Sequence, residues 1–250
     1  MDTETIIRRA QVYGFLANAM LYPEENWLED VPRLAVILGE LDAPPDAGCD
    51  LEAAGWSLDA LQSEHRRAFG LTGSLCYETE YWLPHEFRQS QELADIAGFY
   101  RAFGFVAGGP VHERPDYLGT ELEFMYVLAL KEAYARAQGM LEQAEVCADA
   151  QRKFVQDHLG PWIGPFALGL ERSAAGRRPE VGDTAVRDAG GPYAALARLA
   201  AGFVRADAAR LGVQPESLEA AQTSPTPPPP DLTCDACPVL NLQVQGGTEP

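Results

Sequence analysis

In IIRRAQVYGFLANAMLYP, residues 6–23, the apolar side chains Ile6, Ala10, Tyr13, Ala17 and Met20 recur every three or four positions, and Pro23 closes the run. That spacing lines one face of a helix of about five turns, because positions three and four apart stack on the same side of a 3.6-residue turn. The same period continues along the chain. It appears in Trp27, Val31, Leu34 and Leu38, and in Leu58, Leu61, His65 and Phe69 behind a Ser57 N-cap. It returns in Leu93, Ile96, Tyr100 and Phe103 before Gly104, and in Leu122, Met125, Ala129 and Ala133. Ala144, Cys147, Gln151, Phe154, Val155 and His158 form a sixth stripe, which Gly160-Pro161 is expected to end. Pro161 then suits the first turn of a short helix carrying Trp162 and Phe166, and Leu196, Leu199, Phe203 and Leu211 mark the last. No stretch alternates polar and apolar residues, and no hairpin dipeptide separates β-branched runs. The expected fold is all-α, a single bundle of about eight helices.

The 250 residues, 46% of them hydrophobic and 22% charged, are enough to bury a substantial core. Against 19 Lys and Arg stand 37 Asp and Glu, a formal charge of −18. A surface this acidic repels nucleic acid and anionic lipid, whose phosphates are bound by Lys and Arg, and favours a cationic or basic-peptide partner. No run reaches the ~20 apolar residues of a membrane helix, and the N-terminus lacks a signal-peptide pattern, so a cytoplasmic protein is expected. The five cysteines (Cys49, Cys76, Cys147, Cys234, Cys237) fit reduced thiols in that compartment. Three segments interrupt the helices: 70–84, 106–118 and the small, polar 173–191. After them, four consecutive prolines at 227–230 set an extended linker. The division expected is a helical domain over 1–215 and a Pro-rich linker with a cysteine-bearing tail over 216–250.

Catalytic signatures are missing. There is no phosphate-binding glycine loop, no His-Glu-x-x-His and no Gly-x-Ser-x-Gly. The four histidines (His65, His85, His112, His158) are scattered and lack ligand spacing among themselves, and His65 and His158 fall on helix stripes and read as packed side chains. Cys234-Asp-Ala-Cys237 is a single C-x-x-C pair, half of a four-ligand zinc site, and is either a metal or redox pair or a plain reduced one. Two loops are richer. Residues 75–82 (LCYETEYW) interleave aromatics with Glu78 and Glu80, and residues 113–123 (ERPDYLGTELE) carry Glu113, Asp116, Glu121 and Glu123. Between Glu78 and Glu123 there are nine acids and three bases. Aromatic walls edged by carboxylates suit a partly apolar peptide bearing arginines, which carboxylates hold bidentately. Such a site draws affinity from its apolar groove and selectivity from charge.

These residues resemble the TorD-type redox-enzyme maturation chaperones over about residues 8–170. The resemblance runs through Ala10-Gln-Val-Tyr13-Gly-Phe-Leu16, Leu21-Tyr22-Pro23, Leu61…Glu64…Phe69-Gly70, Tyr77-Glu78-Thr79-Glu80-Tyr81 and Ile96-Ala97-Gly98-Phe99-Tyr100-x-x-Phe103-Gly104. Its most specific part is Glu113-Arg114-Pro115-Asp116-Tyr117-Leu118 followed by Glu121-Leu122-Glu123-Phe124-Met125. There the family pattern is Glu-x-Pro-Asp-His and Glu-Leu-x-Phe-Met, so Tyr117 stands where an imidazole is usual. The Tyr77–Tyr81 loop is similar to that of the chaperones of the ethylbenzene and dimethylsulfide dehydrogenase, selenate and chlorate reductase group. The resemblance implies a non-enzymatic cytoplasmic chaperone without a cofactor. It would bind the twin-arginine leader of a molybdopterin oxidoreductase and hold the apo catalytic subunit for cofactor insertion before export, with no nucleic-acid or membrane partner. By position it implies leader contacts at Tyr77, Glu78, Glu80, Tyr81, Glu113, Pro115, Asp116, Tyr117, Glu121 and Glu123.

Packing explanations stand beside these roles. Asp116 has a reading as the cap of a helix starting near Leu118, Glu121 as a partner of the helix dipole, and Arg114 as a brace for its own loop. Tyr100, Phe103 and Phe124 read as core. Two other classes of function remain: an enzyme using clustered carboxylates on a nucleotide, and a metal-binding or metal-delivery factor using Cys234 and Cys237.

Overall fold

The computed structural model describes residues 1–41, 51, 55–70, 76–82, 86–106, 113–175, 191–216 and 218. The chain begins with α1 (Thr3–Met20), whose N-cap Asp2 accepts the Thr5 N–H at 2.8 Å. A 3-10 turn, Trp27–Asp30, leads into α2 (Val31–Glu40), with Pro32 in the first turn where no N–H is needed. α3 (Leu58–Phe69) starts on Ser57, whose hydroxyl accepts the Ala60 N–H, as its sequence anticipates. α4 (Glu86–Ala102) ends at Gly104, which takes φ +63° so that the Phe105 N–H can reach the Tyr100 carbonyl. α5 (Leu118–Ala137), α6 (Leu141–Phe154), α7 (Gly160–Ala175) and α8 (Gly191–Leu211) complete an all-α fold. Among the described residues there is no strand, only one isolated antiparallel bridge between Tyr77 and Tyr117.

Two expectations change at the α6–α7 boundary. The helix does not stop at Gly160-Pro161, and α7 is long rather than short. A π turn, Val155–Leu159, carries the chain from α6 into α7, with the Gly160 N–H bonded to the Val155 carbonyl five residues back. The wider turn clears the carbonyl that a proline ring would strike in a regular helix. The helical backbone therefore runs without a break from α6 through the π turn into α7.

α5 buries most of its circumference, against α1 on one side and α6 on another, and leaves Glu123, Leu130 and Tyr134 on an exposed stripe. Ala10 of α1 and Ala129 and Ala133 of α5 let the two backbones approach. Tyr100 and Phe124 are buried and Phe103 packs half-buried beside them, in an aromatic group completed by Phe105 and Phe154. Each fully buried ring of the group, such as Phe124 and Phe154, contributes about 1.5–3 kcal/mol through burial. A fully buried ion pair ties the first described helix to the last: Arg9 of α1 donates to Asp207 of α8 through Nε (2.5 Å) and Nη2 (2.7 Å), and the Tyr13 hydroxyl donates to the same carboxylate at 2.8 Å.

His65 is packed, as its stripe suggests, among the rings of Tyr22, Phe69 and Tyr193, with Nε2 3.2 Å from the Met20 carbonyl. Burial lowers its pKa below 6.5, the Met20 carbonyl opposes this, and the Arg66 charge adds to the lowering. A depressed histidine is protonated more readily in the unfolded chain, so its stabilising contribution is complete above about pH 6.5 and shrinks as pH falls through that value. The expected result is a gap in melting temperature between wild type and His65→Gln that narrows from about pH 7.5 to about pH 5.5. A constant gap would show that His65 is not held neutral.

Candidate functional site

The two acidic-aromatic loops, some forty positions apart in sequence, are joined backbone to backbone. The Glu78 N–H donates to the Asp116 carbonyl and the Leu118 N–H to the Cys76 carbonyl, both at 3.0 Å. Asp116 is the knot of this junction. Its carboxylate accepts Arg114 Nε (3.0 Å) and Nη2 (2.7 Å), the Thr79 hydroxyl (2.8 Å) and the Thr79 N–H (3.2 Å). Asp116 is therefore no helix cap: α5 begins after Tyr117 without a side-chain cap, and the carboxylate is spent across the loops. Arg114 braces the junction as one of its readings anticipated, with its guanidinium 4.4 Å over the Tyr77 ring and Nη1 3.4 Å from Glu80. The Tyr77 hydroxyl donates to Glu113 at 3.3 Å, and the Tyr100 hydroxyl holds the Pro115 carbonyl at 2.7 Å.

Tyr117 turns inward and donates to the Met20 carbonyl at 2.7 Å, pinning the start of α5 to the end of α1. Its ring lies over Gly119, where an added Cβ would come within 2.7 Å of the ring edge. Only glycine fits there.

Behind the junction lies a buried polar cluster. Glu78, Asp116 and Glu121 are each fully buried, and Tyr81 and Tyr117 nearly so. Trp162 Nε1 donates to Glu121 at 3.2 Å; Trp82 Nε1 donates to Glu78 at 3.4 Å; His158 Nδ1 lies 3.3 Å from the same Glu78 oxygen. Burial, then the charge and hydrogen bond of Glu78, drive the Glu121 carboxyl well above its ordinary value. Burial would depress His158, but Glu78, with Asp95 and Glu92 behind it, outweighs this and raises it.

The accessible part of the site is different. A groove of about 540 Å³ runs between α1, α2 and the first turns of α5. Phe15, Leu34, Ile37 and Tyr126 supply apolar walls, and the exposed carboxylates of Asp30, Glu113 and Glu123, with the one guanidinium among the lining residues, that of Arg33, edge it. Partial burial pushes the Glu123 carboxyl upward. Of the residues singled out in the sequence, Glu113 and Glu123 line this groove, while Glu80 is exposed beyond Arg114 and Tyr77 and Pro115 are half-buried at the junction. Glu78, Tyr81, Asp116, Tyr117 and Glu121 point into the protein and shape the site from beneath. Of these apolar walls on α1 and α2, Leu34 falls on a stripe read from the sequence; Phe15 and Ile37 lie off the stripes, and nothing local marks them until the helices meet. Cys234 and Cys237 lie outside the described residues, as do Cys49, His85 and His112.

Similarity to known proteins runs through this same region. Residues 33–168, more than half of the chain, match the family model described as nitrate reductase delta subunit. The chain is 37% identical over 71 residues to the perchlorate reductase assembly chaperone protein of Dechloromonas aromatica, covering 28% of this chain and 31% of that one. It is 37% identical over 79 residues to the chlorate reductase assembly chaperone protein of Ideonella dechloratans (32% and 40%). Over 115 residues it is 30% identical to the selenate reductase assembly chaperone protein of Thauera selenatis (45% and 58%). The matched segments span about a third to three fifths of these relatives. With an all-helical bundle and a family match over most of its central helices, the chain belongs to the nitrate reductase delta subunit family.

Proposed function

We propose that this protein is a cytoplasmic, non-catalytic assembly chaperone that binds the twin-arginine leader of a molybdopterin oxidoreductase catalytic subunit and holds the apo-subunit for cofactor insertion before export. In this reading residues 1–215 are the chaperone domain and 216–250 its linker and tail. The observation that carries the proposal is the groove between α1, α2 and α5, apolar on its walls and edged by Asp30, Glu113 and Glu123. A leader peptide has the complementary layout, an arginine pair followed by an apolar run, and carboxylates grip guanidinium groups bidentately. The relatives above are named as assembly chaperones of three reductases, not as enzymes. No helix among the described residues is long and apolar enough to cross a membrane. The formal charge of −18 favours encounter with a basic segment.

The leader arginines are assigned to Glu113 and Glu123, its apolar run to Phe15, Leu34 and Ile37. Glu78, Asp116 and Glu121 act from beneath, by holding the loops and the start of α5. Calorimetric titration with a synthetic twin-arginine leader tests this. Micromolar or tighter binding is expected, weakening with salt and on replacing both arginines by lysine. Exposed pairs contribute about 0.2–1 kcal/mol each, and partly sheltered bidentate ones more, so E113Q/E123Q is expected to bind about tenfold more weakly. Unchanged affinity in that variant sinks the groove assignment. No binding to leaders of several molybdopterin enzymes sinks the leader reading itself.

A further inference from the structure

We propose that Glu78, Glu92 and His158 form a binding site for one first-row divalent metal ion of the Zn2+ type, with Asp95 as the outer partner of the histidine. The three residues come from three elements: the 3-10 turn Glu78–Glu80, helix α4 and the π turn between α6 and α7. One donor atom from each lies within 4.8 Å of the other two. His158 Nδ1 and Glu78 Oε1 are 3.3 Å apart. Two ligands held 2.0–2.1 Å from a tetrahedral ion are separated by about 3.3 Å, so this pair already stands at ligand spacing.

A second observation points the same way. His158 is 1% exposed, yet its Nε2 has no hydrogen-bond partner among the described residues, and Asp95 Oδ2 lies 3.4 Å from it. A metal on Nδ1 with a carboxylate behind Nε2 is the usual arrangement of a histidine ligand, which fixes its tautomer and ring orientation. Glu92 and Asp95 are three positions apart, on one face of α4, so the same helix face delivers a ligand and an outer partner.

Charge balance supports the site as well. Glu78 is completely buried, and among the described residues His158 is the cationic group paired with it. Arg114, at the loop junction, is committed to Asp116 and Glu80. A divalent ion in contact with Glu78 offsets its buried charge more fully than the imidazole alone. The imidazole selects a Zn2+-type ion over Mg2+ or Ca2+, which take oxygen ligands. A π turn at this position is also where helices carry functional side chains. The proposed ligands include no cysteine, and the proposal is independent of the leader-binding reading.

The test uses the full chain with Cys234→Ser and Cys237→Ser, which removes the tail thiolates as competing ligands. It is titrated with Co2+ and followed by visible absorption. One Co2+ per chain is expected, with the d–d spectrum of nitrogen and oxygen ligands and no thiolate charge-transfer band, displaced by Zn2+ but not by Mg2+. Losing an outer partner typically costs ~10–100-fold in affinity, so Asp95→Asn is expected to bind at least about tenfold more weakly, and Glu92→Gln more weakly still. Glu92 is only partly buried, so Glu92→Gln is expected to keep the wild-type circular dichroism and melting temperature. That keeps the test decisive even where His158→Gln fails to fold. No Co2+ uptake in the double-serine chain, or uptake unchanged by both Glu92→Gln and His158→Gln, overturns the proposal. Leader titration in chelator remains a separate measurement, so either idea can fail alone.

Discussion

Asp207→Ala is expected to cost about 3–5 kcal/mol and to lower the melting temperature by roughly 6–20 °C. The carboxylate sits at zero exposure and accepts both Arg9 donors and the Tyr13 hydroxyl, and Arg9 is equally buried. Removing it strands a guanidinium in the core with no acceptor for two of its N–H groups. Desolvation already works against the Arg9 charge, and Asp207 supplies the principal compensation, lifting its pKa above the ordinary value. Replacing both partners with apolar residues of similar volume, Arg9→Met with Asp207→Leu, is expected to recover most of the loss, because neither charge then remains to be buried. Thermal and urea unfolding of the single and double variants measures this. An Asp207→Ala melting temperature within about 2 °C of wild type would mean that the α1–α8 pair contributes little.

Asp116→Ala is the second large effect, at about 3 kcal/mol, and it reaches function as well as stability. The four bonds to Asp116 hold Thr79 and Arg114 in place, and through the Glu78 N–H bond to the Asp116 carbonyl they set the register of the loop pair. Arg114 is over a third exposed, so its released charge regains water; the buried Thr79 N–H and hydroxyl lose their acceptor. Arg114 then no longer holds Tyr77, and Tyr77 no longer steadies Glu113 at the groove edge. The expected outcome is weaker leader binding in Asp116→Ala by calorimetry at a temperature where it is still folded. Asp116→Asn should recover part of the stability, by keeping one acceptor oxygen. Full leader affinity in folded Asp116→Ala would separate this junction from the binding groove.

The helical class was readable because a helix is a local structure. Stripes such as Ile6, Ala10, Tyr13 and Ala17 follow from a 3.6-residue period, and caps such as Asp2 and Ser57 act within three positions. The π turn was not readable, since Gly160-Pro161 looks like an ordinary stop until α7 packs onto α8. The loops were recognisable from composition and family pattern. Which carboxylates face outward was not, because Glu113 and Glu78 look alike in a list of residues.

The order of amino acids was enough for the all-α class, the main helices, the acidic surface and the two loops that carry the family pattern, all of which depend on short-range spacing or summed charge. Tertiary structure alone decided that Glu78, Asp116 and Glu121 turn inward while Glu113 and Glu123 edge a groove. It also paired Arg9 with Asp207, 198 positions away, and brought His158 to Glu78 across 80. The physical reason is that burying a charge is tolerable only against a partner, and that partner is chosen by which helix faces meet, not by distance along the chain.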